Sequence, residues 1–294
     1  MDEHEWLAEQ FEQHRTRLRA VAYRMLGSVS EADDAVQEAW LRLNRSGSDE
    51  IENLGGWLTT VVSRVCLNML RSRETRREEP MSVHVPDPIV SREDGLDPEH
   101  EALLADSVGL ALIVVLQTLA PGERLAFVLH DMFSMPFDEI ARIIDRSPDA
   151  ARQLASRARR RVAGAAATEV ETDLTRQREV VDAFFAAARD GDFDALVAVP
   201  DPGVVLRSDG GVVRPAASVL VHGAEEVASR ALTFARLSPF VRRALVNGAA
   251  GVVVAPGGNP FSVMGFTVAH GKIVEIDAIA DPERLRRLDL AVLD

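Results

Sequence analysis

The sequence predicts a multidomain chain: two all-α helical domains, the second carrying a helix-turn-helix, followed by an α+β domain. Three observations predict it. Apolar residues recur at helical spacing through residues 5–72 and again through 105–162. Between them, at 78–104, Pro80, Pro86, Pro88 and Pro98 interrupt a charged stretch that no helix is expected to cross. After about residue 163 the pattern turns into short β-branched runs separated by glycines. A length of 294 residues suits two or three domains, and a 47% hydrophobic fraction supplies a sizeable core.

The first helix is expected in "EWLAEQFEQHRTRLRAVAYRML", where Leu7, Phe11, Leu18, Val21, Ala22 and Met25 share a spacing and Gly27 marks the stop. Ser30 opens a second, "SEADDAVQEAWLRL", whose early acids suit the positive end of a helix dipole. The loop "NRSGSDEIENLGG" leads to a third, starting near Trp57 in "GWLTTVVSRVCLNMLRSRETRR". Beyond the proline-rich linker, "DSVGLALIVVLQTL" reads as a buried helix. "APGERLAFVLHDMF" reads as another, with Pro121 near its start and apolar residues at 125, 128, 129 and 132.

A second linker, 164–174, precedes "RQREVVDAFFAAARDGDFDALVAV", which reads as an amphipathic helix, a Gly-Asp break and a shorter helix. Strands follow in "GVVLRS", "VVRPAASVLVH", "VRRALVNGAAGVVVAP" and "FSVMGFTVAHGKIVEIDAIAD", with "AEEVASRALTFARL" a helix among them. His270-Gly271 between two β-branched runs predicts a hairpin. The expected product is a curved antiparallel sheet with helices on one side. The expected domains are therefore 1–77, 105–163 and 175–294, joined by linkers 78–104 and 164–174.

The formal net charge is -13, and Lys272 is the single lysine. Arginines gather in two places, 64–77 and 146–161, while acids dominate the N-terminus, 78–106 and the C-terminal third. An acidic chain with two local basic faces meets nucleic acid through chosen surfaces, and does not coat it. No apolar run reaches a membrane span of about 18 residues, and the acidic start "MDEHEWLAEQFEQ" lacks a signal-peptide core, so a cytoplasmic location is expected. Cys66, alone among apolar neighbours in "RVCLNML", is expected to be a packed thiol. No metal-ligand spacing is present, and neither metal nor cofactor is expected.

The helix-turn-helix lies in "MPFDEIARIIDRSPDAARQLASRARRRV", residues 135–162. Its first helix is "FDEIARIID", 137–145, with Ile140, Ile143 and Ile144 on a buried side. Its second begins at Ser147 as N-cap, with Pro148 first in the helix and Asp149 in the first turn. Ala151, Leu154, Ala155, Ala158 and Val162 share one face; Arg152, Gln153, Ser156, Arg157, Arg159 and Arg160 occupy the others. Arginine suits guanine edges and phosphates, and glutamine suits adenine. Within this set Arg152, Gln153, Ser156 and Arg157 are expected to read bases, and Arg159, Arg160 and Arg161 to anchor phosphates. A solvated arginine-rich helix end has the same composition.

A second basic element lies in "WLTTVVSRVCLNMLRSR". Trp57, Leu58, Val61, Val65, Met69 and Leu70 are read as its apolar side, with Trp57 in the core. Thr60, Arg64, Asn68 and Arg71 form one polar stripe, which Arg73, Arg76 and Arg77 extend. Such a stripe suits a strand backbone with unpaired bases. It equally suits the solvated face of an amphipathic core helix, and spacing alone does not choose.

The order of these stretches resembles the extracytoplasmic-function group of bacterial sigma-70-type RNA polymerase sigma factors. "FEQHRTRLRAVAYRMLGSVSEADDAVQEAWLRL" is similar to the start of sigma region 2, and "LGGWLTTVVSRVCLNMLRSR" to its promoter-melting, -10-recognition helix. "LAPGERLAFVLHDMFSMPFDEIARIIDRSPDAARQLASRARRRV" resembles sigma region 4. The resemblance covers 5–77 and 105–163. It implies core RNA polymerase as partner, through the β′ clamp helices and the β flap, with promoter DNA. Asp33, Asp34, Gln37 and Glu38 would meet the clamp helices; Thr60, Arg64, Asn68, Arg71 and Arg73 would meet the -10 element. Arg152, Gln153, Ser156, Arg157, Arg159, Arg160 and Arg161 would meet the -35 element. The acids of the 78–104 linker would run through the polymerase channel.

The C-terminal part resembles SnoaL-like domains, cone-shaped α+β folds related to polyketide cyclases, through "VVDAFFAAARDGDFDALVAV", "VVLRSDGG" and "GFTVAHGKIVEIDAIADPERLRRL". One sigma subgroup carries such a fused domain, which implies intramolecular modulation of the sigma core. Where that subgroup has a Trp-Leu-Pro-Glu-Pro-like linker segment, this chain has "VPDPIVSREDGLDPEH"; where it favours Asp-Gly-Gly-Gly-Lys, this chain has "SDGGVVR". The alternative is a helix-turn-helix regulator whose cone binds a small ligand or has enzyme-like activity, with Asp209, His222, His270 and Asp277 as pocket residues. A plain repressor would need no region-2 helices and no "DDAVQEA" surface. The chain as a whole is expected not to be an enzyme.

Overall fold

A computed structural model describes residues 3–46, 51–75, 83–93, 109–165 and 169–293. Among them the chain divides into two bodies: the helical segments up to 75 and from 112 to 165 form one, and 83–93 with 169–293 form the other.

In the first body α1 (Glu3–Leu26), α2 (Val29–Ser46) and α3 (Leu54–Thr75) pack on one another. All six apolar positions expected of α1 are buried. Gly27, at φ 73°, stops it, with its N–H bonded to the Tyr23 carbonyl. The cap of α2 is Ser28, whose hydroxyl accepts from Glu31 N, so Ser30 lies inside the helix and does not open it. α3 starts earlier than expected, because Asn53 Oδ1 caps Gly56 N at 2.9 Å.

Then come α4 (Leu110–Gln117), α5 (Pro121–Phe127) with one π-helical turn at Val128–Met132, α6 (Phe137–Ile144) and α7 (Pro148–Ala165). Pro121 is the first residue of α5, as expected. Asp145, in the left-handed region at φ 56°, makes the break between α6 and α7, and Ser147 Oγ caps Ala150 N at 3.2 Å. Ile140, Ile143 and Ile144 are buried on α6; Ala151, Ala155 and Ala158 are buried on α7. Three alanines let α7 lie close on α5 and α6, which is how the two helices of the motif acquire their fixed angle.

The second body is built on a seven-stranded sheet in the order β1-β4-β5-β6-β7-β2-β3. Its strands are β1 (Val90–Ser91), β2 (Pro200–Asp209), β3 (Val219–His222), β4 (Val241–Val246), β5 (Ala249–Val254), β6 (Ser262–Ala269) and β7 (Lys272–Ile279). All neighbours are antiparallel except β2 and β7. Asn247-Gly248 and His270-Gly271 turn the β4–β5 and β6–β7 hairpins with both residues at positive φ. On one face lie α8 (Leu174–Asp190), α9 (Phe193–Ala198) and α10 (Ala224–Thr233), which pack Phe184, Leu196 and Val227 against Leu206, Val252, Phe266 and Ile276. The opposite face packs Val246, Val253, Val263 and Ile279 under Val85, Val90, Leu285 and the C-terminal Leu288, Leu290 and Val292. This is the α+β architecture that the sequence predicts, with two differences: β2 and β7 are parallel where an antiparallel sheet was expected, and the short helix Pro282–Leu285 packs on the face opposite the other helices.

The prolines keep 83–93 out of helices, as expected. What sequence did not signal is its pairing: β1 adds to the β4 edge in the register Val90↔Val246 and Ser91↔Leu245. Two residues just after a pair of prolines carry no readable period. Asn247 completes the seam, with Ile89 N donating to Asn247 Oδ1 and Asn247 N donating to Ile89 O, both at 2.8 Å.

Candidate nucleic-acid interface

On α7, Arg152, Gln153, Ser156, Arg157, Arg159, Arg160 and Arg161 are all exposed, opposite the buried alanines. They are not equivalent. Arg157 Nε and Arg161 Nη1 both reach the carboxylate of Glu123 on α5, at 3.1 and 2.9 Å. Glu123 is itself buried, so two of the seven basic or polar candidates steady α7 against the body. Arg159 Nε pairs with Asp131 at 2.6 Å, and Arg152 Nη1 with Asp149 one turn earlier at 2.5 Å. Gln153, Ser156 and Arg160, spaced three and four residues apart, form the middle of the exposed face. The expected division is thereby redrawn. Arg160 shares the exposed stripe of Gln153 and Ser156, and Arg157 is paired with Glu123. No signal in the α7 sequence reveals this, because the deciding acid lies 34 residues away.

On α3 the buried side is Leu58, Val62, Cys66, Leu67 and Leu70, with Thr59 and Ser63. Trp57, Val61, Val65 and Met69 are half-buried, so the apolar side is rotated by about one residue from the expected one and Trp57 is not in the core. Thr59 takes part in the buried side because it satisfies its hydroxyl on Gly55 O at 2.7 Å. Cys66 is the packed thiol expected, and burial pushes its pKa up.

Arg64, Asn68 and Arg71 are exposed in one stripe, as expected. Thr60 spends its hydroxyl on Gly56 O at 2.9 Å, Arg73 is ion-paired with Glu31, and Arg64 Nη2 donates to the Arg142 carbonyl at the end of α6, 2.9 Å away. Arg76 and Arg77 lie outside the described residues.

The acidic candidates are on α2. Asp33 is clasped by Arg19, through Nε at 2.6 Å and Nη2 at 3.1 Å, and Glu38 is paired with Arg42. Asp34 and Gln37 are exposed. Leu41, an exposed large apolar residue, shares the helical face of Asp34, Gln37 and Glu38. Sequence patterning passed over Leu41, since a single exposed leucine carries no signal until its neighbours' directions are known.

In the second body the four expected pocket residues do not meet around a cavity. β2 and β7 run in register, with Leu206 opposite Ile276, Arg207 opposite Asp277, Ser208 opposite Ala278 and Asp209 opposite Ile279. Alternation sends Leu206, Ser208, Ile276 and Ala278 to the helix-covered face, where the cavity lies. Arg207, Asp209, Asp277 and Ile279 go to the other face. Asp277 is 2% exposed and paired with Arg207 at 3.2 Å. Burial, offset in part by Arg207, raises its carboxyl to about 6. His222 and His270 are on the surface, His270 in the hairpin turn.

Asp209 has a different task. Burial alone would raise its pKa, but His84, Arg284 and the N–H groups of Val85 and Gly211 hold it down at about 2. Arg284 Nη1 lies 2.6 Å from Asp209 Oδ2, its Nε 2.7 Å from Asp87 Oδ1, and it also donates to the Val85 carbonyl. Val85 N donates to Asp209 Oδ2 at 3.1 Å. The "SDGG" turn and the "HVPDP" segment, both departures from the expected motifs, are thus the two sides of one latch. Its glycines are required: a Cβ on Gly210 would lie 2.1 Å from the Arg214 carbonyl, and Gly211 has φ 61°. A second tie joins Glu93 to the buried Arg178, which also donates to the Gly251 and Ala244 carbonyls. Asp87 and Glu93, two acids of the 78–104 linker, are therefore both ion-paired. No helix among the described residues is long and apolar enough to cross a membrane.

Residues 10–76 match the family model for sigma-70 region 2, and residues 109–162 that for sigma-70 region 4. The ECF RNA polymerase sigma factor SigJ of Mycobacterium tuberculosis is 39% identical over 287 residues, covering 94% of this chain and 92% of that protein. A probable ECF RNA polymerase sigma factor SigI of the same species is 35% identical, covering 97% of each. The crystal structure of the M. tuberculosis extracytoplasmic function sigma factor SigJ aligns over 96% of this chain and 99% of its own, with a TM-score of 0.78 and 34% identity.

Proposed function

This chain belongs to the extracytoplasmic-function sigma factors of the sigma-70 type, and from that premise we propose how its surfaces divide the work of directing RNA polymerase to promoters. Gln153, Ser156 and Arg160 on α7 read the -35 element, flanked by Arg152. Arg157, Arg159 and Arg161 fix the helix and supply phosphate contacts when their acids release them. Asn68, Arg71 and Arg64 on α3 meet the -10 element, Arg64 exchanging its bond to the Arg142 carbonyl for DNA. Asp34, Gln37, Glu38 and Leu41 form the surface for the β′ clamp helices, with Asp33 held by Arg19 as their support. The observation that carries the -35 assignment is the exposed stripe of Gln153, Ser156 and Arg160 on the second helix of a helix-turn-helix whose back is buried alanine.

The C-terminal domain modulates this activity through the chain between the two sigma regions. Residues 83–93 lie between them in sequence and are paired as a strand and latched by Arg284 within the C-terminal body. A segment held this way is not available to extend through the polymerase, so its release is the regulated step.

Run-off transcription on the promoter of the protein's own gene, with core polymerase, tests these assignments. Arg160→Ala should lower output by roughly tenfold or more, the loss of one bidentate base contact of about 1–3 kcal/mol. Gln153→Ala should change preference within the -35 element. Unaltered output and preference in both variants would refute the reading face. Failure of the wild-type chain to co-purify with core polymerase would overturn the polymerase assignment.

A further inference from the structure

The C-terminal body contains a cavity of about 180 Å³ between the sheet and α8 and α10. Phe184, Phe185, Met264 and Ile276 give it an apolar wall. Two guanidinium groups, Arg214 and Arg230, also line it, and no carboxylate does among the described residues. Arg214 Nη1 touches only carbonyls, those of Ala280 at 3.2 Å and Phe261 at 3.4 Å, and its guanidinium lies over the Phe261 ring at 4.9 Å. Arg230, half-buried on α10, makes no hydrogen bond or ion pair to any described residue. Two positive charges beside an apolar chamber, in a chain of net charge -13, are left without a counter-charge.

We propose that this cavity binds a compact aromatic carboxylic acid, its ring among the phenylalanines and its carboxylate on Arg230 and Arg214. Three features select that chemistry. A cavity of about 150 Å³ lined by apolar groups is known to take a benzene ring, so the chamber matches one ring and a short tail. Phenylalanine walls favour an aromatic body through edge-to-face contact. Arginine presents paired donors that a carboxylate accepts in a bidentate fashion. The acid-base residues that a cone interior would need for catalysis are on the other face or on the surface, so the site is one for binding.

The test compares 3-phenylpropionate with 3-phenylpropionamide on the full-length protein by isothermal titration calorimetry. The two probes share a shape and differ in charge. The acid should bind roughly tenfold or more tightly than the amide, as expected for a charge-assisted contact out of water. Arg230→Gln, which removes one of the two guanidinium groups, should reduce the difference several-fold. Absence of acid binding at millimolar concentration, equal binding of acid and amide, or discrimination undiminished in Arg230→Gln would each overturn the proposal. The wild-type comparison stands without any variant and needs neither DNA nor polymerase, so its outcome is independent of the sigma-factor assignments.

Discussion

Arg284→Ala would open the latch that holds residues 83–93 to the sheet. The substitution removes the donors to Asp209, Asp87 and the Val85 carbonyl together. Asp209 is 3% exposed and keeps only His84 and the N–H groups of Val85 and Gly211. Breaking a buried pair by removing one partner costs about 3–5 kcal/mol. The Arg284 side chain is 15% exposed, which places the expected loss near the lower end, about 3 kcal/mol. The depression of the Asp209 carboxyl from 3.8 to about 2 agrees in sign, and at about 1.4 kcal/mol per pKa unit it amounts to roughly 2.5 kcal/mol. That is what remains after burial has been offset, so His84, Arg284 and the two N–H groups together contribute more than this, and about 3 kcal/mol stands as the expected loss.

Urea unfolding at pH 7 measures it, the C-terminal body being followed as a separate transition. Trypsin cleavage at Arg92 reports release of the strap directly. Arg284→Lys, which retains one ion pair, should fall between wild type and alanine. A midpoint change worth less than about 0.5 kcal/mol, the scatter of an ordinary surface substitution, with unchanged cleavage at Arg92, would refute the latch.

Asp277 should give the C-terminal body an inverted pH dependence. Its folded carboxyl is raised from 3.8 to about 6, so the native state holds the proton more tightly than the unfolded chain. That contribution is complete below about pH 4 and is lost as pH rises through 6, by up to about 3 kcal/mol. Asp277→Asn should flatten the profile of thermal stability between pH 4 and 7; a slope that survives the substitution would exclude Asp277 as its source. Asp209 acts in the opposite sense, its contribution being lost as pH falls from about 4 toward 2. Ala155→Leu, at a position with no exposure where α7 meets its partners, should destabilise the first body by about 1–3 kcal/mol through overpacking. Circular dichroism melts at neutral pH check this, and an unchanged melting temperature would show that α7 does not lie as close as described.

Local rules were legible wherever the deciding neighbours are close in sequence. The six core positions of α1, the Gly27 stop, the Ser147 cap with Pro148 behind it and the His270-Gly271 hairpin all follow from residues within a turn or two of one another. Where a rule had a near competitor the outcome differs: Ser28 and not Ser30 caps α2, and Thr59 is buried because a helix lets such a hydroxyl bond back to its own carbonyl. The site residues divide in the same way. That α7 presents arginines and Gln153 outward is a matter of helical period; that Glu123 draws Arg157 and Arg161 aside is not.

By itself, the sequence determined the order of the elements, the two helical sigma regions, the α+β character of the last domain and the outward faces of α3 and α7. Each depends on a period of two or 3.6 residues, which a chain carries in plain view. Only the tertiary structure decided that "HVPDP" and "SDGG" close on each other through Arg284, that 83–93 is a strand, and that Asp209 and Asp277 lie on the face away from the cavity. Those outcomes depend on strand register and on partners more than a hundred residues apart. A shift of one residue in β2 would exchange Ser208 for Asp209 at the cavity wall, and no local pattern in the chain specifies that register.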